Sequence, residues 1–187
     1  AAWSTPVEID GSATENAADP QLAVDPGTGR IAALWLADGG LRGAAFAPET
    51  GWGAAQLIDR IATFQGAVVR DYRVGVDGVG EAVAVWAKNN EVNTFGIWSS
   101  RYVLGSGWHA PVRVDSNEGF GFQDVSPVIT VLGTGAAHAV WASRGPNRLG
   151  YWANTFSPST GWGMASELIK MEGRRQLGPM AVKADGQ

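Results

Sequence analysis

Four stretches of this 187-residue chain align on a tryptophan. "AWSTPVEID" carries Trp3, "GWGAAQLID" Trp52, "GWHAPVRVD" Trp108 and "GWGMASELIK" Trp162, at intervals of 49, 56 and 54 residues. A period of this length means one supersecondary unit copied along the chain, each copy burying its apolar surface against the next. A second tryptophan keeps the same spacing: "RIAALW" ends at Trp35, "EAVAVW" at Trp86 and "AAHAVW" at Trp141. Before each lies a segment ending in a turn, "PQLAVDPGTG", "YRVGVDGVG" and "PVITVLGTG". Six residues before Trp52, Trp108 and Trp162 stand Phe46, Tyr102 and Phe156, an aromatic each time.

One copy reads as four strands joined by tight Gly-containing turns, at a period near the roughly 40–50 residues of a propeller blade. The expected fold is all-β: a β-propeller segment of four-stranded antiparallel blades in a single domain over residues 1–187. The first strands enter near Pro20, Tyr72, Pro127 and Pro179. Blades then cover 20–59, 72–115 and 127–170, with an outer strand 3–10 and an inner strand 179–184 at the flanks. The unbroken apolar run Ala82–Trp86 fits this arrangement, because a wedge stacked between two others is covered on both sides. Ala82 and Ala84 fall on one face, Val83 and Val85 on the other. No helical period links these strands, so a parallel sheet under helices is excluded. Propellers close with about four to eight blades. Three blades and two loose strands therefore read as part of a larger ring, or as a half-ring completed by another subunit.

Composition narrows the function classes. Net charge is −4 and no basic stripe exists to follow a phosphate backbone, so nucleic acid is not an expected partner. No apolar run approaches the roughly 18 residues of a membrane helix, so no membrane insertion is expected. Cysteine is absent, which excludes disulfides and thiolate metal sites. The two histidines are isolated: His138 reads as a satisfied interior residue and His109 as an exposed hairpin residue. Asp25 and Asp77 belong to no calcium loop, and their third counterpart is Leu132, so they read as turn residues. No metal and no cofactor is expected.

The repeat resembles the tandem "VAVDGxGxAxAVW…IWxxRYxxGxGW" units of exported bacterial β-propeller proteins of unassigned role. The likeness covers residues 3–187 and is strongest between Tyr72 and Val114. More distantly the chain is similar to lectin- and sialidase-like propellers. The resemblance implies a secreted, cell-surface or periplasmic location, and a glycan or a protein subunit as partner.

In such a fold the connections from fourth to first strand and from second to third share one face. Here those are the long ones, 60–71, 87–95, 116–126, 142–150 and 171–178, and long loops gathered on one face mark a binding surface. The candidate ligand-binding residues are Arg70, Asp71, Asn90, Asp124, Arg144 and Arg148, with Trp98 and Trp152 as stacking platforms. Arg beside Asp and Asn suits hydroxyls or an acidic sugar. The competing reading of both tryptophans is packing between blades, since they recur in register. No catalytic residue is expected. The hairpin turns "APETGW", "VLGSGW" and "SPSTGW" hold the Gly and Trp of the sialidase Asp-box, Ser-x-Asp-x-Gly-x-x-Trp, but not its Asp. No Tyr–Glu nucleophile pair is evident either. The leading expectation is a non-enzymatic binding module for glycan or another cell-surface ligand. The alternatives are a protein-interaction or assembly subunit, and a sialidase-like glycoside hydrolase or lyase.

Overall fold

The chain turns where its sequence supplies turn chemistry. Asp25 accepts from the backbone N–H of Thr28 at 2.8 Å and from its hydroxyl, and Asp77 accepts from the N–H groups of Val79 and Glu81. Each closes the first hairpin of its repeat from the side chain, so their role is structural. Gly51, Gly107 and Gly161 all hold φ near +80°, which is why the residue before each hairpin tryptophan is glycine.

A computed structural model describes residues 5–11, 16–37, 39–60, 68–91, 94–115, 123–145 and 148–171, with the backbone alone for Asn90, Glu91 and Arg148. The described residues are all-β, without a helix. The first unit comprises β1 (Ala18–Val24), β2 (Ile31–Ala37), β3 (Gly40–Ala47) and a fourth strand in two pieces, β4 (Gly51–Trp52) and β5 (Gln56–Arg60). The second comprises β6 (Val69–Val76), β7 (Ala82–Glu91), β8 (Thr94–Val103), β9 (Gly107–Trp108) and β10 (Val112–Arg113). The third comprises β11 (Gln123–Val131), β12 (Ala137–Gly145), β13 (Arg148–Ser157), β14 (Gly161–Trp162) and β15 (Ser166–Lys170). Within every unit the strands pair antiparallel in chain order. One parallel bridge, Gln123 with Phe95, joins the start of β11 in the third unit to the start of β8 in the second.

The repeat read from the tryptophans is a repeat of geometry. Phe46 faces Trp52, Tyr102 faces Trp108 and Phe156 faces Trp162 across the strand pair. Their ring centroids lie 5.4, 5.6 and 5.5 Å apart at interplanar angles of 58°, 59° and 57°. Such tilted pairs are a favoured aromatic arrangement.

Units stack face to face, and the stacking explains the apolar run in β7. Ala84 and Trp86 join Leu34, Leu41 and Ile58 of the first unit in one cluster. Val85 and Ala87 join Ala139 and Trp141 of the third unit in another. Trp86 and Trp141 are fully buried, and Trp35 packs with Ala33 and Ala44 against Ile9. Truncating a side chain of this kind costs about 3–5 kcal/mol.

Three expectations about the chain path need correction. The described residues of the expected loops 87–95 and 142–150 are strand: β7 and β8 run on to Glu91 and Thr94, and β12 and β13 to Gly145 and Arg148. Both arms continue their ladders, so the backbone there finds its hydrogen bonds in the hairpin itself. First strands start at Ala18, Val69 and Gln123, before the expected entries, because a bulge carries each ladder past that point. Residues 5–10 form no strand; they pair with none among the described residues and are held by packing of Ile9. The expected inner strand 179–184 lies outside the described residues, as does Trp3.

Candidate functional site

Each first strand carries its bulge at the same place, and each bulge holds a non-glycine residue at positive φ. Asp19, Asp71 and Ser126 have φ of 53°, 52° and 54°. Proline follows at 20 and 127 and cannot donate to a ladder, so the strand passes it by bulging. The left-handed conformation costs an L-residue roughly 1–2 kcal/mol, least for Asp and Asn. Such strain persists where surrounding contacts hold it. Here each bulge is tied to the next. The Tyr72 hydroxyl donates to the carbonyl of Asp19, with the Ala18 carbonyl at 3.4 Å. The Ser126 N–H and hydroxyl donate to Oδ2 of Asp71 at 3.2 and 3.4 Å.

Burial, followed by the charge of Asp19, pushes the Tyr72 phenol up to about 12. It is therefore neutral across the physiological range and acts as a hydrogen-bond donor. A Tyr–Glu nucleophile pair needs a phenol whose proton a carboxylate takes. The hydroxyl of Tyr72 is spent on backbone carbonyls instead.

Around this bulge chain lies a cleft of about 710 Å³ between the first two units, lined by Asp19, Gln21, Arg70, Asp71 and Arg73. Arg70 and Arg73 are exposed. The Arg70 guanidinium sits 3.8 Å from the centroid of the Phe95 ring, and Arg73 Nη1 donates to the carbonyl of Tyr72 at 2.8 Å. Both arginines are thus engaged at the rim of a cleft that Asp19 and Asp71 also line. Guanidinium donors next to carboxylate acceptors are the pairing that vicinal hydroxyls require.

Of the expected site residues, Arg70 and Asp71 come together here. The others disperse. Trp98 packs on the cluster between the first and second units, with the Lys88 ammonium 5.3 Å from its ring centroid and ion-paired to Asp59 at 2.7 Å. Trp152 packs on the cluster between the second and third. Both lie against neighbouring units, in keeping with the packing reading. Asp124 is fully buried, opposite Ser143 in register. Arg144 is exposed near the tip of the β12–β13 arm. Asn90 and Arg148 lie on the two arms by backbone; their side chains are outside the described residues. His138 is half-buried rather than interior, its Nδ1 3.3 Å from the Thr155 hydroxyl, and His109 is exposed.

Asp19, Arg73 and Ser126 were not among the expected site residues. The signal was present: "DP", "DY" and "SP" recur at the same point of the repeat, an Asp or Ser ahead of the residue that interrupts the ladder. Among the described residues no group of three His, Asp or Glu side chains is placed to hold a metal ion, and no helix is long and apolar enough to cross a membrane.

No protein-family model and no curated protein matches the chain. Several solved structures are similar to it in part, two of which follow. One is the Hadza microbial sialidase Hz136, at a TM-score of 0.48 and 13% identity over 78% of this chain. The other is a structure assigned as an exo-β-1,3-galactanase from Bifidobacterium bifidum s17, at 0.43 and 18% over 86%. This chain spans 36% and 55% of their respective lengths. At these scores neither likeness carries weight for its fold or its chemistry.

Proposed function

We propose that the chain is a segment of a β-propeller in an exported protein, acting as a non-enzymatic binding module for glycan or another cell-surface ligand. The ligand contacts the face that carries the starts of the first strands and the β7–β8 and β12–β13 arms. The observation that carries this reading is the bulge at Asp71, which sets Arg70, Asp71 and Arg73 together at the rim of an open polar cleft. Tyr72, the phenol nearest that cleft, is neutral and engaged with carbonyls, which speaks against hydrolysis through it. A glycan array tests the reading. Binding that Arg70→Ala or Asp71→Ala abolishes supports it, and an array with no bound sugar overturns it. Turnover of a fluorogenic sialoside, lost in Arg70→Ala or Arg144→Ala, would replace it with the hydrolase reading.

An assembly role has its own support. Leu22 and Val24 on the first unit and Leu168 and Ile169 on the third are more than half exposed, on strands whose counterparts pack between units. Such surface invites a covering partner. Light scattering separates the readings: a monomer at all concentrations argues against assembly through self-association.

A further inference from the structure

The boundary between the first and second units is clamped by Gln56. Its Oε1 accepts from the backbone N–H of Trp108 at 3.0 Å. The residue at the same repeat position in the second unit is Val112, which has no acceptor to offer the corresponding tryptophan, Trp162. There the boundary stays open as a cleft of about 400 Å³.

Three other departures from the repeat converge on this one cleft. Arg101 stands where the first and third units have Ala45 and Thr155. His109 stands where they have Gly53 and Gly163, and Arg113 where they have Leu57 and Glu167. All three line the opening together with Phe156 and Trp162. Packing explains none of them, because the same hairpin forms in the other units without them.

The cleft has the parts of a small-molecule site. Its aromatic wall is the Phe156–Trp162 pair. The Arg101 guanidinium lies 5.6 Å from the Phe156 centroid and is ion-paired to Glu81. Arg113 is ion-paired to Asp115 at 2.9 Å. The backbone of His109 is pinned on both sides, its N–H to the Arg101 carbonyl at 2.9 Å and its carbonyl to the Ser100 hydroxyl at 2.6 Å. Two guanidinium–carboxylate pairs cancel in charge, so the site has no net field to draw an anion. Guanidinium donors beside the Ser99 and His109 side chains, near an aromatic face and with their carboxylate partners outside the lining, suit a neutral ring bearing hydroxyls. We propose that the cleft between the second and third units binds one neutral pyranose residue. This goes beyond the binding face proposed around Arg70 and Asp71, since the cleft is built on third and fourth strands and those residues lie on a first strand.

Saturation-transfer NMR on the full chain, with methyl glycosides of the common neutral hexoses and with glucuronic acid as probes, tests it. A ligand of about a dozen heavy atoms at ordinary efficiency gives a Kd on the order of 1–10 mM. At least one neutral glycoside saturates in that range. Val112→Gln, which supplies the missing clamp, and Arg101→Thr each weaken it at least about tenfold, a difference well above measurement scatter. His109→Gly restores the residue of the other two units at an exposed position and weakens binding without disturbing the fold. Gln56→Val opens the first boundary but gains no site, because Ala45 and Leu57 stand where the second unit has Arg101 and Arg113. Arg70→Ala leaves this binding unchanged, so failure here and failure of the binding face around Arg70 and Asp71 are separate results. No saturable signal at ~50 mM, tighter binding of glucuronic acid, or binding that survives Val112→Gln or Arg101→Thr overturns the proposal.

Discussion

The indole Nε1 of Trp86 donates to Oδ2 of Asp59 at 3.0 Å, across the boundary between the first and second units. The other oxygen of the same carboxylate takes the Lys88 ammonium at 2.7 Å. One buried acid thereby fastens two residues of the next unit. Asp115 occupies the same repeat position but turns inward to its own unit, to the Ile97 N–H and to Arg113. The repeat is therefore one of backbone and apolar layers, on which polar contacts are redrawn at each boundary.

Asp59→Ala leaves a part-buried ammonium and a buried indole N–H without their acceptor. Removing one partner of a buried pair costs about 3–5 kcal/mol. The expected loss is toward the lower end, since Lys88 retains partial access to water. A urea titration followed by tryptophan emission measures it, with the midpoint falling and the slope unchanged.

Gly40 and Gly150 mark where the third strand meets the fourth most closely. A Cβ at Gly40 would lie 2.0 Å from the carbonyl oxygen of Asp59, and one at Gly150 2.1 Å from that of Ile169. Backbone cannot yield as a side-chain tip does, so either Gly→Ala change is expected to cost about 2–3 kcal/mol, in the range of overpacked cores. Gly133→Ala, with open space around it, is the control and stays within about 0.5 kcal/mol.

Tyr72 provides a pH signature. Its folded pKa, about 12, lies above its ordinary value of 10.0, so the folded state holds the phenolic proton more tightly than the unfolded chain does. The contribution is complete below pH 10 and is lost as pH rises from there through the folded pKa. Ultraviolet titration at the phenolate band should resolve a late step that belongs to Tyr72. Tyr72→Phe removes that step, flattens the alkaline loss of stability, and costs about 1 kcal/mol at neutral pH for the bond to Asp19.

How far the sequence could be read follows from what kind of information each feature needs. The units were legible because Trp52, Trp108 and Trp162 pair with aromatics six residues upstream, a relation local to one hairpin. Burial of both faces of β7 was legible too, because Ala82 through Ala87 contain no polar residue to spare. Bulges were harder: Asp19, Asp71 and Ser126 are ordinary turn-type residues whose positive φ follows from ladder register, which only the paired strand reveals. The long arms were misread because Asn89, Asn90 and Glu91 look like loop composition while their backbone stays paired. The site itself was least legible. Arg70 and Arg73 reach the rim through a bulge, and Trp98 and Trp152 turn toward neighbouring units that lie a whole repeat away in sequence.

The central claim is that four-stranded units stack so that both faces of β7 are covered. Because the chain has no native cysteine, single thiols report on each face without background. Ala84→Cys probes the side toward the first unit, Val85→Cys the side toward the third, and Val79→Cys an exposed turn. Under native conditions the thiols at 84 and 85 should react with Ellman's reagent only as fast as the protein unfolds, while the one at 79 reacts at once. Rapid labelling at either 84 or 85 would mean that a face of β7 is open to solvent, and would contradict the stacked arrangement.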